Sequence, residues 1–145
     1  MTLEEQLIRH KGVVLKMYAD AIREIPIIGC GRNLRTTGIT QAEARHLLNN
    51  DILRCRTGLS KALSYWHTLS NMRQRCLIDM AIDLDCGGLL ECKKMLLALR
   101  QKNYELAAEE MLASTWAHQV KERARWLAVA MRLDREPTAQ DLTNL

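Results

Sequence analysis

The sequence predicts an α+β fold, with a small sheeted N-terminal lobe, a long linking helix and a helical C-terminal lobe. Three observations predict it. β-branched and alternating residues, with proline and glycine punctuation, are confined to the stretch from Val13 to about Leu34. From Ile39 onward the apolar residues recur at helical spacing. Residue pairs that start helices recur along that second part, and no strand pattern returns.

Taken in order, "TLEEQLIRHKG" opens with Thr2 as N-cap and Glu5 three residues later, a capping-box spacing, and Gly12 closes the helix. "VVLKMYAD" reads as a strand, and "IPIIGCGRNL" as a hairpin or tight turn. "TQAEARHLLNNDILRCRTGLSKAL" begins with a second box, Thr40 to Glu43, and keeps a helical face through Leu47, Leu48, Ile52 and Leu59. "SNMRQRCLIDMAIDLD" reads as a buried helix capped near Ser70, with another helix after a break at Gly87-Gly88. Asn103 caps the next helix, and "KERARWLAVAMRL" is the last amphipathic helix before Pro137. The polar tail "EPTAQDLTNL" is expected to be loose. The expected organisation is one domain over residues 1–145. Within it lie a sheet lobe at 12–39, a linking helix at 40–63, a helical lobe at 64–135 and the tail at 136–145.

The 145 residues suffice for one compact domain, and 48% hydrophobic with 26% charged residues is globular composition. A net charge of +4 tolerates an anionic partner without demanding one. Five cysteines, Cys30, Cys55, Cys76, Cys86 and Cys92, form an odd set without CxxC spacing and without a preceding secretory signal. They are expected to be free thiols in a reducing compartment, the cytoplasm of a bacterial host. No apolar run reaches the length of a membrane span. His10, His46, His67 and His118 share no metal-ligand spacing, so neither metal nor other cofactor is expected. The basic helix start "KERARW" is interrupted by Glu122, and nucleic acid is not the expected partner.

Five segments, in order and spanning about residues 3–133, together resemble the phage-type lysozymes, the muramidases with which tailed phages cut peptidoglycan. "GVVLKMYAD" resembles the family's E-G-x-x-L-x-x-Y-x-D stretch through Gly12, Leu15, Tyr18 and Asp20. "IPIIGCGRNL" resembles T-I-G-x-G-H through Ile28, Gly29 and Gly31. "ITQAEARHLLNND" resembles the linker helix I-T-x-x-E-A-x-x-L-x-x-D. "RQRCLIDMAIDLDCGG" resembles R-x-x-A-L-I-N-M-x-F-x-x-G. "STWAHQVKERA" resembles S-x-W-x-x-Q-x-x-x-R-A through Ser114, Trp116, Gln119, Arg123 and Ala124.

The resemblance implies a two-lobed lysozyme-like fold with an active cleft between the lobes. It also implies a glutamate acid just before the first glycine, and an aspartate that orients water with a hairpin threonine. This chain departs from that set. Lys11 stands at the acid position, Ile27 at the threonine and Arg32 at the histidine, and Asp20 alone is retained. Asp79, Asp83 and Asp85 replace polar or small cleft positions, and Ile82 replaces an aromatic.

An alkylammonium has a reference pKa of about 10.4, roughly six units above a glutamic acid, and its charge opposes an oxocarbenium-like transition state. Losing the general acid alone forfeits roughly 10²–10⁴ in rate. Glu5 lies two helical turns before Lys11. Glu24 lies near Asp20 in the hairpin, though nothing in the sequence aims it at a sugar.

Arg123 matches the arginine that the family packs beside its acid, so Glu122, Glu24 or one of the new aspartates must compensate for Lys11, or Lys11 points outward. One expectation is a redesigned charge network, with Lys11 and Arg32 facing Asp20 and the aspartates. The other is drift after selection for catalysis ceased. The expected function is a phage or prophage lysozyme-like pseudoenzyme that binds a host or phage protein. The alternatives are a weak or non-standard muramidase centred on Asp20, and a non-cleaving peptidoglycan binder.

Overall fold

A computed structural model describes residues 1–144. Its chain divides into two units, Met1–Leu48 and Asn49 onward, with the boundary inside a long helix.

The first unit begins with helix α1, Leu3–Lys11, held at its start by the reciprocal Thr2–Glu5 box. Glu4 and Glu5 sit in its first turn and Arg9, His10 and Lys11 in its last, each sign complementing the helix dipole. Gly12, at φ 73°, takes the chain out of the helix in a conformation that a side chain would strain. Three antiparallel strands follow in the order β1 (Val14–Ala19), β2 (Pro26–Gly29), β3 (Arg32–Asn33). Val14 pairs with Gly29 and Tyr18 with Ile27, so β1 spends two more residues than β2 between those pairs and bulges there. Helix α2, Gln41–Ala62, starts where the Thr40 hydroxyl accepts the Glu43 N–H at 3.1 Å.

The helical unit contains a 3-10 turn at Trp66–Thr68 and helices α3 (Asn71–Leu90), α4 (Lys93–Arg100), α5 (Tyr104–Ala113), α6 (Thr115–Val120), α7 (Glu122–Leu133) and α8 (Ala139–Thr143). Ser70, Asn103 and Ser114 cap α3, α5 and α6 through their side chains. Helix α7 packs against α3, α5, α6 and α8, and its Leu127, Ala128, Ala130 and Met131 enter a core with Leu77, Met80, Leu99 and Met111. Arg73 fastens the far end of α7. It donates to the Met131 carbonyl at 2.8 Å and the Arg132 carbonyl at 3.3 Å, pairs with Asp134 at 3.4 Å and lies over the Tyr104 ring.

Two expectations need correction. The break in α3 falls at Asp85, with φ 59° and ψ 166°, and the helix then runs on through Gly87 and Gly88. Glycine permits a break without imposing one. At Gly88 the absent side chain serves close approach instead, since a Cβ there would stand 3.1 Å from the Leu84 Cβ. The tail, expected to be loose, carries α8, because Thr138 and Asp141 form a capping box and Arg135 holds Asp141 at 2.7 Å.

Candidate functional site

The candidate residues of the first unit fall into two groups. At the β1–β2 turn, Asp20 bends its own backbone. Its Oδ1 accepts the N–H groups of Ile22 at 2.8 Å and Arg23 at 3.1 Å. These two bonds favour the charged form and hold the carboxyl below its ordinary range, with the Arg23 charge adding to them. Glu24 closes the same turn through its N–H to the Asp20 carbonyl at 2.8 Å, with a left-handed φ of 53°. Its proximity to Asp20 is thus a backbone contact.

The second group gathers at the β2–β3 turn. Lys11, the last residue of α1, lays its chain there: a Cβ at Gly31 would stand 3.8 Å from both Cδ and Nζ of Lys11. Arg32 follows, and its Nη1 donates to Glu43 at 2.5 Å and to the Gly38 carbonyl at 3.3 Å. The Arg32 guanidinium is thus engaged at the start of α2. The pair reinforces both charges, raising the pKa of Arg32 and lowering that of Glu43, in each case mainly through the shared hydrogen bond.

Ile27 sits in β2 opposite Tyr18 and Asn33. Its neighbour Ile28 projects to the other sheet face and, with Ile39, Ala42 and Leu47, lines an apolar hollow of about 560 Å³ beside the Arg32–Glu43 pair.

In the helical unit, Arg123 bridges Asp79 and Asp83, one helical turn apart on α3. Asp83 also accepts the indole N–H of buried Trp116 at 2.9 Å. The two aspartates therefore compensate the arginine, while Glu122 pairs with Arg125 at 3.3 Å. Burial raises the Asp79 carboxyl above its ordinary range, and Arg123 opposes this less strongly. Asp85 stands apart from this triad at the kink, and Ile82 is 39% exposed.

Sequence reasoning singled out neither Glu43 as the partner of Arg32 nor Trp116 as a hydrogen-bond donor. Glu43 was visible only as the residue three positions after the Thr40 cap, and the eleven-residue separation of the pair leaves no local pattern.

The phage lysozyme profile matches residues 8–133. The chain belongs to the phage lysozyme family. Among curated relatives it is 28% identical, over 86% of its length, to the pre-baseplate central spike protein of Enterobacteria phage T4. It is 27% identical, over 59% of its length, to the probable T4-type lysozyme 1 of Dictyostelium discoideum. The chain spans 26% of the first protein and 52% of the second. In this phage lysozyme relative, Lys11 ends α1 beside Gly31, and the Asp20 carboxylate is committed to its own turn. Among the described residues, no group of three or more His, Cys, Asp or Glu is arranged to hold a metal ion, and no helix is long and apolar enough to cross a membrane.

Proposed function

We propose that this phage lysozyme-family protein binds a host or phage protein and does not cut peptidoglycan. The observation that carries the reading is Lys11 at the acid position, with its side chain laid against Gly31. A group there must deliver a proton to the glycosidic oxygen while leaving room for positive charge on the sugar ring; a lysine ammonium opposes that charge. Ile27, at the threonine position, brings no hydroxyl to orient water. The relative named as a baseplate spike supports the reading, because its matching segment is a fraction of a protein whose name describes an assembly component.

The test compares the parent with the Lys11→Glu, Ile27→Thr, Arg32→His variant on chloroform-treated Gram-negative cells. The expected result is no lysis by the parent; lysis by the parent overturns the proposal. Lysis by the variant alone would locate the loss in the substituted groups.

One observation favours a second reading: Asp20 keeps its family position and its charge. A weak muramidase centred on it clears purified peptidoglycan, and Asp20→Asn abolishes the clearing. A non-cleaving wall binder is distinguished by co-sedimentation with cell walls without released muropeptides.

A further inference from the structure

Two cysteines that no functional reading uses are neighbours in the helical unit. Cys55 lies in the second half of α2, and Cys86 is the residue after the Asp85 kink in α3, 31 positions later. The Cys86 sulfur stands 3.8 Å from the Cys55 carbonyl oxygen. It also fills a notch left by Gly58, one helical turn along α2 from Cys55, where an added Cβ would come within 2.9 Å of the sulfur. The backbone that delivers Cys86 is in a region that residues other than glycine avoid (φ 59°, ψ 166° at Asp85), so the surrounding packing holds it there. Cys55 is buried and Cys86 half-buried, which gives solvent access to one of the two.

The remaining cysteines lack this arrangement. Cys76 meets the Leu127 carbonyl, Cys92 meets the Gly88 carbonyl within its own stretch of chain, and Cys30 is exposed on the β2–β3 turn of the first unit.

We propose that Cys55 and Cys86 form a thiol pair that closes into an intramolecular disulfide by exchange with a low-molecular-weight disulfide. Cys86 loses its proton to solvent, and its thiolate attacks one sulfur of the small disulfide. The S–S bond breaks, and one small thiolate leaves with the electron pair. Cys55 then loses its proton, and its sulfur attacks the Cys86 sulfur, expelling the second small thiolate. Two protein thiols are oxidised and one small disulfide is reduced to two thiols. Burial raises the Cys55 thiol pKa, which makes the closing step the slow one. The bond ties α2 to α3 at the kink and restricts the unfolded chain between them. This inference is independent of whether the protein cuts or binds peptidoglycan.

The test equilibrates the full chain with oxidised and reduced glutathione over a range of ratios, quenches with acid and alkylating agent, and maps peptides without reduction. The expected result is a linked peptide pair containing Cys55 and Cys86, accompanied by a higher melting temperature in the oxidised form. That rise disappears in Cys86→Ser and persists in Cys30→Ser. Gly58→Ala shifts the balance toward free thiols, because its methyl group displaces the Cys86 sulfur. The proposal is overturned if Cys55 and Cys86 stay alkylatable or singly glutathionylated at every ratio. It is equally overturned if oxidation links copies only through Cys30. Both outcomes are read on the unsubstituted chain, so they do not depend on how well any variant folds.

Discussion

The two units of this chain are stabilised by different means. Every buried apolar side chain among the described residues lies at Cys55 or later, while Leu15, Met17 and Ile22 of the first unit are 84%, 59% and 92% exposed. The helical unit is held by apolar burial around α7. The first unit is held by directed bonds: the Thr2–Glu5 box, the Asp20 turn, the Arg32–Glu43 pair and strand pairing. Lys11, Asp20, Ile27 and Arg32, the candidate positions read from the sequence, all lie in the unit that relies on polar contacts. Substitution there leaves the core of the helical unit untouched, because none of these four residues contributes to it.

The largest expected effect breaks the helical side of this comparison. Leu77→Ala removes a side chain with no exposed surface and should cost about 2–5 kcal/mol in chemical denaturation. Leu15→Ala, on exposed β1, should change stability by no more than about 0.5 kcal/mol. Equal effects would mean that the sheet unit has a core of its own. Next in size is Arg73→Ala, which strips the clamp from the end of α7 and leaves carbonyls unpaired, at about 1–3 kcal/mol. Arg73→Lys should recover only part of that, because an ammonium cannot reproduce the planar fork over Tyr104.

The same division governs how much was legible in the sequence. The helix starts at Thr2, Ser70 and Asn103 follow from spacing and local side-chain bonds, so they could be read from the chain, whereas the short helix α6 capped by Ser114 went unread. A small sheet was legible from its proline and glycine punctuation, but its division into three strands was not. The α3 kink was misplaced because glycines draw attention as breakers, whereas the strain fell on Asp85. The tail helix was missed because its composition is polar, though Thr138 and Asp141 already carried the capping pattern. The partners of the charged candidate residues were not legible. Arg123 with Asp79 and Asp83, and Arg32 with Glu43, are long-range pairs set by tertiary packing, and neither pairing leaves a periodic trace in the chain.

A smaller effect is expected at the Arg32–Glu43 pair, where both side chains are partly exposed. A double-mutant cycle with Arg32→Ala and Glu43→Ala should show a favourable coupling that fades as salt is added. A coupling that persists at high salt would show that the pair is shielded from water. In the helical unit, burial is the main cause of an analogous response. The Cys76 thiol is pushed up to about 12, so it should resist alkylation in the native protein while exposed Cys30 reacts readily.

The finest distinction lies between two carboxylates displaced in opposite directions. Asp20 is lowered by backbone hydrogen bonds and Asp79 is raised by burial, against the same ordinary value of 3.8. Asp20 therefore contributes stability that is fully present above 3.8 and is lost as pH falls through its lower folded value. Asp79 acts with the opposite sign, since its folded state holds a proton longer, and the associated stability is lost as pH rises through its raised folded value. Carboxyl-carbon NMR during acidification should show Asp79 protonating before Asp20. In Asp20→Asn the amide oxygen can still accept from Ile22 and Arg23, so the turn should survive while the acid-dependent shifts of those two amides disappear. If Asp79 instead titrated below 3.8, the Arg123 bridge would outweigh burial. The helical unit would then rely on charge in the same way as the sheet.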